Sequence, residues 1–238
     1  MKFISRFSLY HLVIIFLLSL YILGSFKFGM QKVFWQLTPT LVAAVATDAI
    51  LKYLKLKRWV ISLSAIISGL IIGLTGQFGE KSYILVVMAV TAMVIKAFVR
   101  LDGRHIFNPA GSGLLIGLLF SSFPSWWVGG ENFWIYLIWL PILLYRMKRW
   151  APMVGFLLPL VILHGLNILT SSSILFFTSV MLIEPKTSPA TVKLGLVYGL
   201  VVSVGYLIIG RFFQFDPFVS SLLIGNLTQR ILARYSNI

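Results

Sequence analysis

A chain of 238 residues that is 59% hydrophobic and only 11% charged, with a mean hydropathy of +0.96, has too much apolar surface for a water-soluble core and reads as a polytopic membrane protein. It contains no cysteine, which excludes disulfides, thiolate-bound zinc and cysteine-ligated iron–sulfur clusters on this chain. The three histidines, His11, His105 and His164, lack metal-ligand spacing, so no metal site is expected, and the net charge of +14 has to be read first as topology.

Hydropathy predicts about ten transmembrane helices, at residues 8–24, 32–51, 60–76, 83–99, 109–122, 133–145, 152–169, 172–183, 191–210 and 217–232. The first follows Lys2 and Arg6 and looks like a signal peptide. No small-x-small cleavage site follows Leu23, so it is read as a retained helix. Asp48 stands late in the second span, four residues before Lys52, where an i, i+4 pair at the interface is the plain reading. An ionisable group within a span is also a candidate for an ion or proton path. The fifth, eighth and tenth spans are short enough to be tilted or broken, which membranes tolerate only where protein or water shields the backbone. Trp126, Trp127, Trp134, Trp139 and Trp150 read as interfacial anchors.

Counted on alternate sides of these spans, lysines and arginines divide sixteen to four, with only Lys27, Lys32, Lys81 and Arg211 on the poorer side. That asymmetry predicts a multi-pass protein of a bacterial-type inner membrane with both termini in the cytoplasm. It also accounts for the positive charge through orientation and anionic lipid, so no nucleic-acid partner is expected.

One stretch occurs twice. Phe107-Asn108-Pro109-Ala110-Gly111-Ser112-Gly113-Leu114-Leu115-Ile116-Gly117-Leu118-Leu119 returns 108 residues later as Phe215-Asp216-Pro217-Phe218-Val219-Ser220-Ser221-Leu222-Leu223-Ile224-Gly225-Asn226-Leu227, with eight of thirteen positions identical. Asn108 and Asp216 are preferred N-cap residues, and a proline follows each at the first helical position. Two well-capped helix starts explain the pattern on their own. Helix N-termini also carry free N–H groups and partial positive charge suited to an anionic or carbonyl-bearing ligand. The expected architecture is one membrane domain, 1–238, all-α, made of a five-plus-five inverted repeat with halves 1–122 and 123–238. Asp216 joins Asp48 as an ion-path candidate.

A second polar cluster, Glu184-Pro185-Lys186-Thr187-Ser188-Pro189-Ala190-Thr191, follows the eighth span. It reads either as a turn capping the ninth helix or as the polar wall of a ligand pocket.

Lys96, Gly103 and Phe107-Asn108-Pro109-Ala110 ahead of an aliphatic helix resemble the signature of the RnfD/NqrB family, the related membrane subunits of Rnf complexes and of the sodium-pumping NADH:quinone reductase. The Glu184–Pro189 stretch is similar to that family's Asp-Pro-Val-Thr/Ser segment after its eighth helix. Ser64-Ala65, Ser68-Gly69-Leu70 and Gly73-Leu74 match its third-helix pattern of small residues. The resemblance spans most of the chain and implies a membrane subunit of a redox-driven, ion-translocating electron transport complex, with other membrane subunits as partners. It implies a non-covalent riboflavin or FMN near Asn108, Glu184, Thr187 and Ser188, whose protein groups tune a chemistry that belongs to the cofactor.

The chain departs from that family in one respect. The family carries covalent FMN on the threonine of a motif in a long loop after the fifth helix; here that loop has Pro124, Trp126, Trp127, Gly129, Gly130 and Glu131 and no threonine. Thr191 ends a stretch that mimics the motif, but Pro185 stands where the motif has Asp, so a short homologue without covalent FMN is expected. Two other classes stay open: a urea- or ammonium-type facilitator, which suits five-plus-five symmetry, and a non-redox membrane scaffold. No protease, glycosidase or phosphate-loop pattern is present, and no catalytic residue is assigned.

Overall fold

The computed structural model describes residues 8–128 and 133–235; Lys2, Arg6 and Gly129, Gly130 and Glu131 lie outside them, and the side chain of Arg234 is likewise not described. The described chain is helical almost throughout. In order the helices are α1 Leu9–Phe28, α2 Met30–Leu56, α3 Leu63–Thr75, α4 Ser82–Phe98, α5 Pro109–Gly117, α6 Phe133–Met147, α7 Trp150–His164, α8 Ser172–Phe176, α9 Val192–Phe212 and α10 Pro217–Tyr235. Three of them, α1, α2 and α9, are long and apolar enough to cross a membrane. The remaining apolar helices are shorter, and many large aliphatic and aromatic side chains are exposed.

The first two helices start for local reasons. Ser8 caps α1 by accepting from His11 N at 3.4 Å. Gly29, at φ +91°, ends α1 and starts α2 in a single residue, a turn that needs a backbone without Cβ. Between α4 and α5 the chain makes a two-residue hairpin, β1 Arg100–Leu101 against β2 Arg104–His105. Asp102 at φ +50° and Gly103 at φ +74° form its tip, the Asp-Gly chemistry that a tight mirror-image turn favours.

Small residues set the closest helix contacts, as expected where lipid removes any solvophobic drive between helices. In α3, a Cβ at Gly69 would lie 2.8 Å from the Leu41 Cα of α2. In the second half, a Cβ at Gly199 of α9 would meet Pro152 O of α7 at 2.2 Å, and one at Gly155 of α7 would meet Leu196 O at 2.3 Å. Where α4 packs on α5, Gly113 faces Met88 and Ala92; where α9 packs on α10, Ser221 faces Gly205.

The fifth and eighth helices are both interrupted. α5 tightens into a 3₁₀ turn at Leu118–Phe120, and α8 widens into a π-helix at Phe177–Leu182 in which every residue is buried. For the π-helix, burial within protein is what makes a non-α backbone tolerable in an apolar setting, whereas the 3₁₀ turn has no buried residue. The tenth helix, by contrast, runs unbroken for 19 residues, because nothing within Pro217–Tyr235 removes a backbone donor after its first position.

α5 and α10 lie antiparallel. The start of α5 meets the later part of α10, where Asn108 N donates to Asn226 Oδ1 at 2.8 Å. The start of α10 meets the segment that follows α5, where Trp126 Nε1 donates to Asp216 Oδ2 at 2.8 Å. One end of the bundle therefore gathers Asn108, Glu184 and Arg230, and the other gathers Gln36, Gln77, Trp126 and Asp216.

Trp126 and Trp127 do not behave as interfacial anchors. Both are buried: Trp126 packs against Phe218 with its indole N–H on Asp216, and Trp127 donates to Gly73 O at 3.1 Å. A buried indole usually has a partner for its N–H, and both of these do. Trp134 and Trp150 are exposed.

Candidate functional site

The start of α5 is fixed from three directions. Asn108 Oδ1 caps the helix by accepting from Gly111 N at 2.9 Å, and Pro109 occupies the first position, where no backbone donor is needed. Asn108 Nδ2 donates to Glu184 Oε2 at 2.9 Å across 76 residues of sequence. Asn226 closes the arrangement from α10: its Oδ1 takes the Asn108 N–H, and its Nδ2 donates to Tyr198 Oη at 2.9 Å. Asn226 and Tyr198 are fully or almost fully buried, so each bond removes a group that would be costly to leave unpaired.

Glu184 begins a turn that satisfies itself. Thr187 Oγ1 donates to Glu184 Oε2 at 3.0 Å, while Thr187 N and Ser188 N both donate to the Glu184 carbonyl, at 3.1 and 2.9 Å. Ser188 Oγ donates to the same carbonyl at 2.8 Å. Glu184 Oε2 therefore has two donors, whereas Oε1 faces only His105 Nε2 at 3.6 Å, too long for a hydrogen bond. That histidine nitrogen is buried and has no hydrogen-bond partner.

These groups wall a cavity of about 100 Å³. Its polar lining includes Asn108, Glu184, His105, Lys96, Lys186, Ser64 and Ser68, and the rest is largely apolar, including Val13, Ile67, Ile71 and Val180. Thr187 and Ser188 contribute no wall to it. Thr187 is buried against the carboxylate, and Ser188 turns toward a separate open cleft.

Lys96 connects the cavity to the second candidate region. Its Nζ donates to Asp48 Oδ1 and to Ser64 Oγ, both at 2.9 Å. Asp48 Oδ2 pairs with Lys52 Nζ at 2.9 Å and accepts from Ser62 Oγ at 2.5 Å. The i, i+4 pair is thus present, but it is half of the environment: the carboxylate joins α2 to α4 as well, and both Asp48 and Lys96 are largely buried. A buried carboxylate with two cations and a hydroxyl is a compensated group.

Asp216, the counterpart of Asn108, lies at the other end of the bundle. Its Oδ1 accepts from Val219 N at 2.7 Å, which reproduces the Asn108–Gly111 cap at the same spacing, and its Oδ2 accepts the Trp126 indole N–H. Phe176, Phe177 and Phe218 surround that indole. Thr191 is the exposed N-cap of α9, and its side chain makes no capping bond.

Of the residues singled out by sequence, Asn108, Glu184 and Thr187 come together, and Ser188 is adjacent. Asp48 stands beyond Lys96, and Asp216 and Thr191 stand apart. Lys96, Ser64, His105 and Asn226 complete the polar belt. Asn226 carries a visible signal, since it replaces Leu118 of the first copy inside an otherwise apolar run. Among the described residues no group of His, Asp and Glu could hold a metal ion. No protein-family model matches the chain, and no curated protein matches it either.

Proposed function

We propose that this chain is a membrane subunit of a redox-driven, ion-translocating electron transport complex, and that a non-covalently held flavin meets it where Asn108 and Glu184 converge. The observation that carries the reading is this convergence. Two residues 76 apart share a hydrogen bond at the wall of a cavity, beside Lys96 and a histidine whose Nε2 has no hydrogen-bond partner.

The chemistry of the wall suits the polar edge of an isoalloxazine. Lys96 brings a positive charge to the wall, its donors being directed at Asp48, Ser64 and Met93, while Glu184 Oε1 offers an acceptor and His105 Nε2 either role according to its tautomer. A flavin supplies one- and two-electron transfer when bound, and these residues would hold it and tune its potential. The fit is partial in volume. A cavity of about 100 Å³ is smaller than the roughly 300–1,000 Å³ of most small-molecule sites, so it admits the edge of the ring only. Pro185 and Lys186 separate it from the open cleft, and the segment they belong to has to give way for a whole ring. Covalent attachment at Thr191 is not part of this reading.

The same proposal takes all ten helices as spans, organised as inverted halves 1–122 and 123–238. The antiparallel α5 and α10, their caps at the same spacing and the matching α4–α5 and α9–α10 contacts support it. The excess of lysine and arginine at the Asn108 end supports placing that end, and both termini, in the cytoplasm of a bacterial-type inner membrane, with other membrane subunits as partners. The test is a double substitution: Asn108→Ala with Glu184→Ala lowers the flavin content of the purified protein severalfold. Full occupancy in the double variant contradicts the site.

A further inference from the structure

Next to the cavity, sharing only Pro185 and Lys186 with it, lies an open cleft of about 1,060 Å³ at the same end of the bundle. Its walls bring five cations, Arg104, Arg149, Lys186, Lys193 and Arg230, around a single carboxylate, Asp102. These residues come from the hairpin, the turn before α7, the segment after α8, the first turn of α9 and the last part of α10, so the concentration of charge is a product of the fold.

Three features separate this cleft from an ordinary basic rim. Arg230 is anchored, its Nη2 donating to His105 O at 3.1 Å and Lys186 O at 2.7 Å, while its Nε is buried and unpartnered. Arg149 Nε is likewise buried without a partner. The 21-residue helix α9 begins in the wall with no side-chain cap, so its first N–H groups and its positive dipole end open into a space already rich in cations. The other basic stretch, Lys55 to Arg58, has the same sign of charge on exposed side chains but no share in this concavity.

We infer that this cleft is a binding site for a phosphate group, seated between Arg149, Lys193 and the start of α9. Guanidinium forks and helix N-termini both match phosphate oxygens, which accept several charge-assisted hydrogen bonds at once. The phosphate comes either from an anionic lipid headgroup or from a soluble phosphate compound, and the inference does not depend on the flavin reading.

The test uses the full chain purified in a neutral, phosphate-free detergent, with unfolding followed by tryptophan fluorescence. Inorganic pyrophosphate is titrated in one arm and phosphatidylglycerol against phosphatidylcholine in the other. Saturable stabilisation by pyrophosphate alone identifies a soluble ligand, and stabilisation by phosphatidylglycerol alone identifies a lipid headgroup. Competition between the two shows that they share the site. In each supporting case Arg149→Gln with Lys193→Gln weakens the apparent affinity roughly 25-fold, about fivefold per cation removed. Lys193→Gln alone, at an exposed side chain, weakens it about fivefold and guards against misfolding of the double variant. Lys55→Gln with Lys57→Gln leaves affinity within about twofold, since exposed charges away from the cleft are screened. No saturable effect from either probe, or equal losses in the cleft and control variants, overturns the site.

Discussion

The starts of α5 and α10 use one capping scheme and differ in what lies around it. Asp216 spends both oxygens inside the protein, one on Val219 N and one on the Trp126 indole, within a cluster of phenylalanines. Asn108 spends one atom on its cap and the other on Glu184, whose second oxygen faces a cavity shared with Lys96 and an unpartnered His105 nitrogen. A capped helix start is therefore compatible with a purely structural role and with a ligand-facing one. The distinction lies in what each cap leaves over: both Asp216 oxygens are taken by fixed protein donors, whereas beside Asn108 the Glu184 Oε1 and the His105 Nε2 stand at a cavity without a hydrogen-bond partner.

The largest effect is expected where both oxygens of the cap are taken by the protein. Asp216→Ala removes the cap and strands a buried indole N–H, and should cost about 2–4 kcal/mol in unfolding measured in mixed micelles. Asp216→Asn keeps one acceptor and should cost about half of that. Equal losses from the two changes would mean that the cap and indole bonds contribute little. Asn226→Leu, which restores the residue of the first copy, leaves the Asn108 N–H and Tyr198 hydroxyl without their partner. A loss of about 2–3 kcal/mol is expected in the same assay. Lys96→Met removes one of two cations from Asp48, and about 1–3 kcal/mol is expected, because Lys52 and Ser62 remain; adding Asp48→Asn should recover part of it. A double variant no better than Lys96→Met would remove the carboxylate as the cause. The smallest effect on stability belongs to Glu184→Gln, at roughly 1 kcal/mol or less, since the amide still accepts from Thr187. The same variant should lower flavin content by half or more, and a change in stability without a change in flavin would make Glu184 a structural residue.

Much of this organisation is legible in the sequence because it is local. Hydropathy locates the helices, since apolar runs and their polar interruptions are short-range features, and the Asn-Pro and Asp-Pro pairs locate the caps for the same reason. The Lys52–Asp48 pair is visible as i, i+4 spacing. What escapes is non-local. Nothing near Asp48 announces Lys96, 48 residues on, and the partners of Asn226 come from α5 and α9. Trp126 and Trp127 look interfacial because tryptophan often is; their burial depends on Asp216 and Gly73 lying opposite them, which only packing decides. The Asp102-Gly103 turn is the exception, a local signal hidden between two strands of two residues each.

The most direct measurement is the visible absorption spectrum of the purified wild-type chain, recorded before and after acid precipitation. Flavin bands in the native protein that move into the supernatant on precipitation are the predicted result, and Asn108→Ala with Glu184→Ala should weaken them at the start. A colourless native protein would contradict the flavin site and favour a facilitator or a scaffold. Colour that stays with the pellet would contradict non-covalent binding.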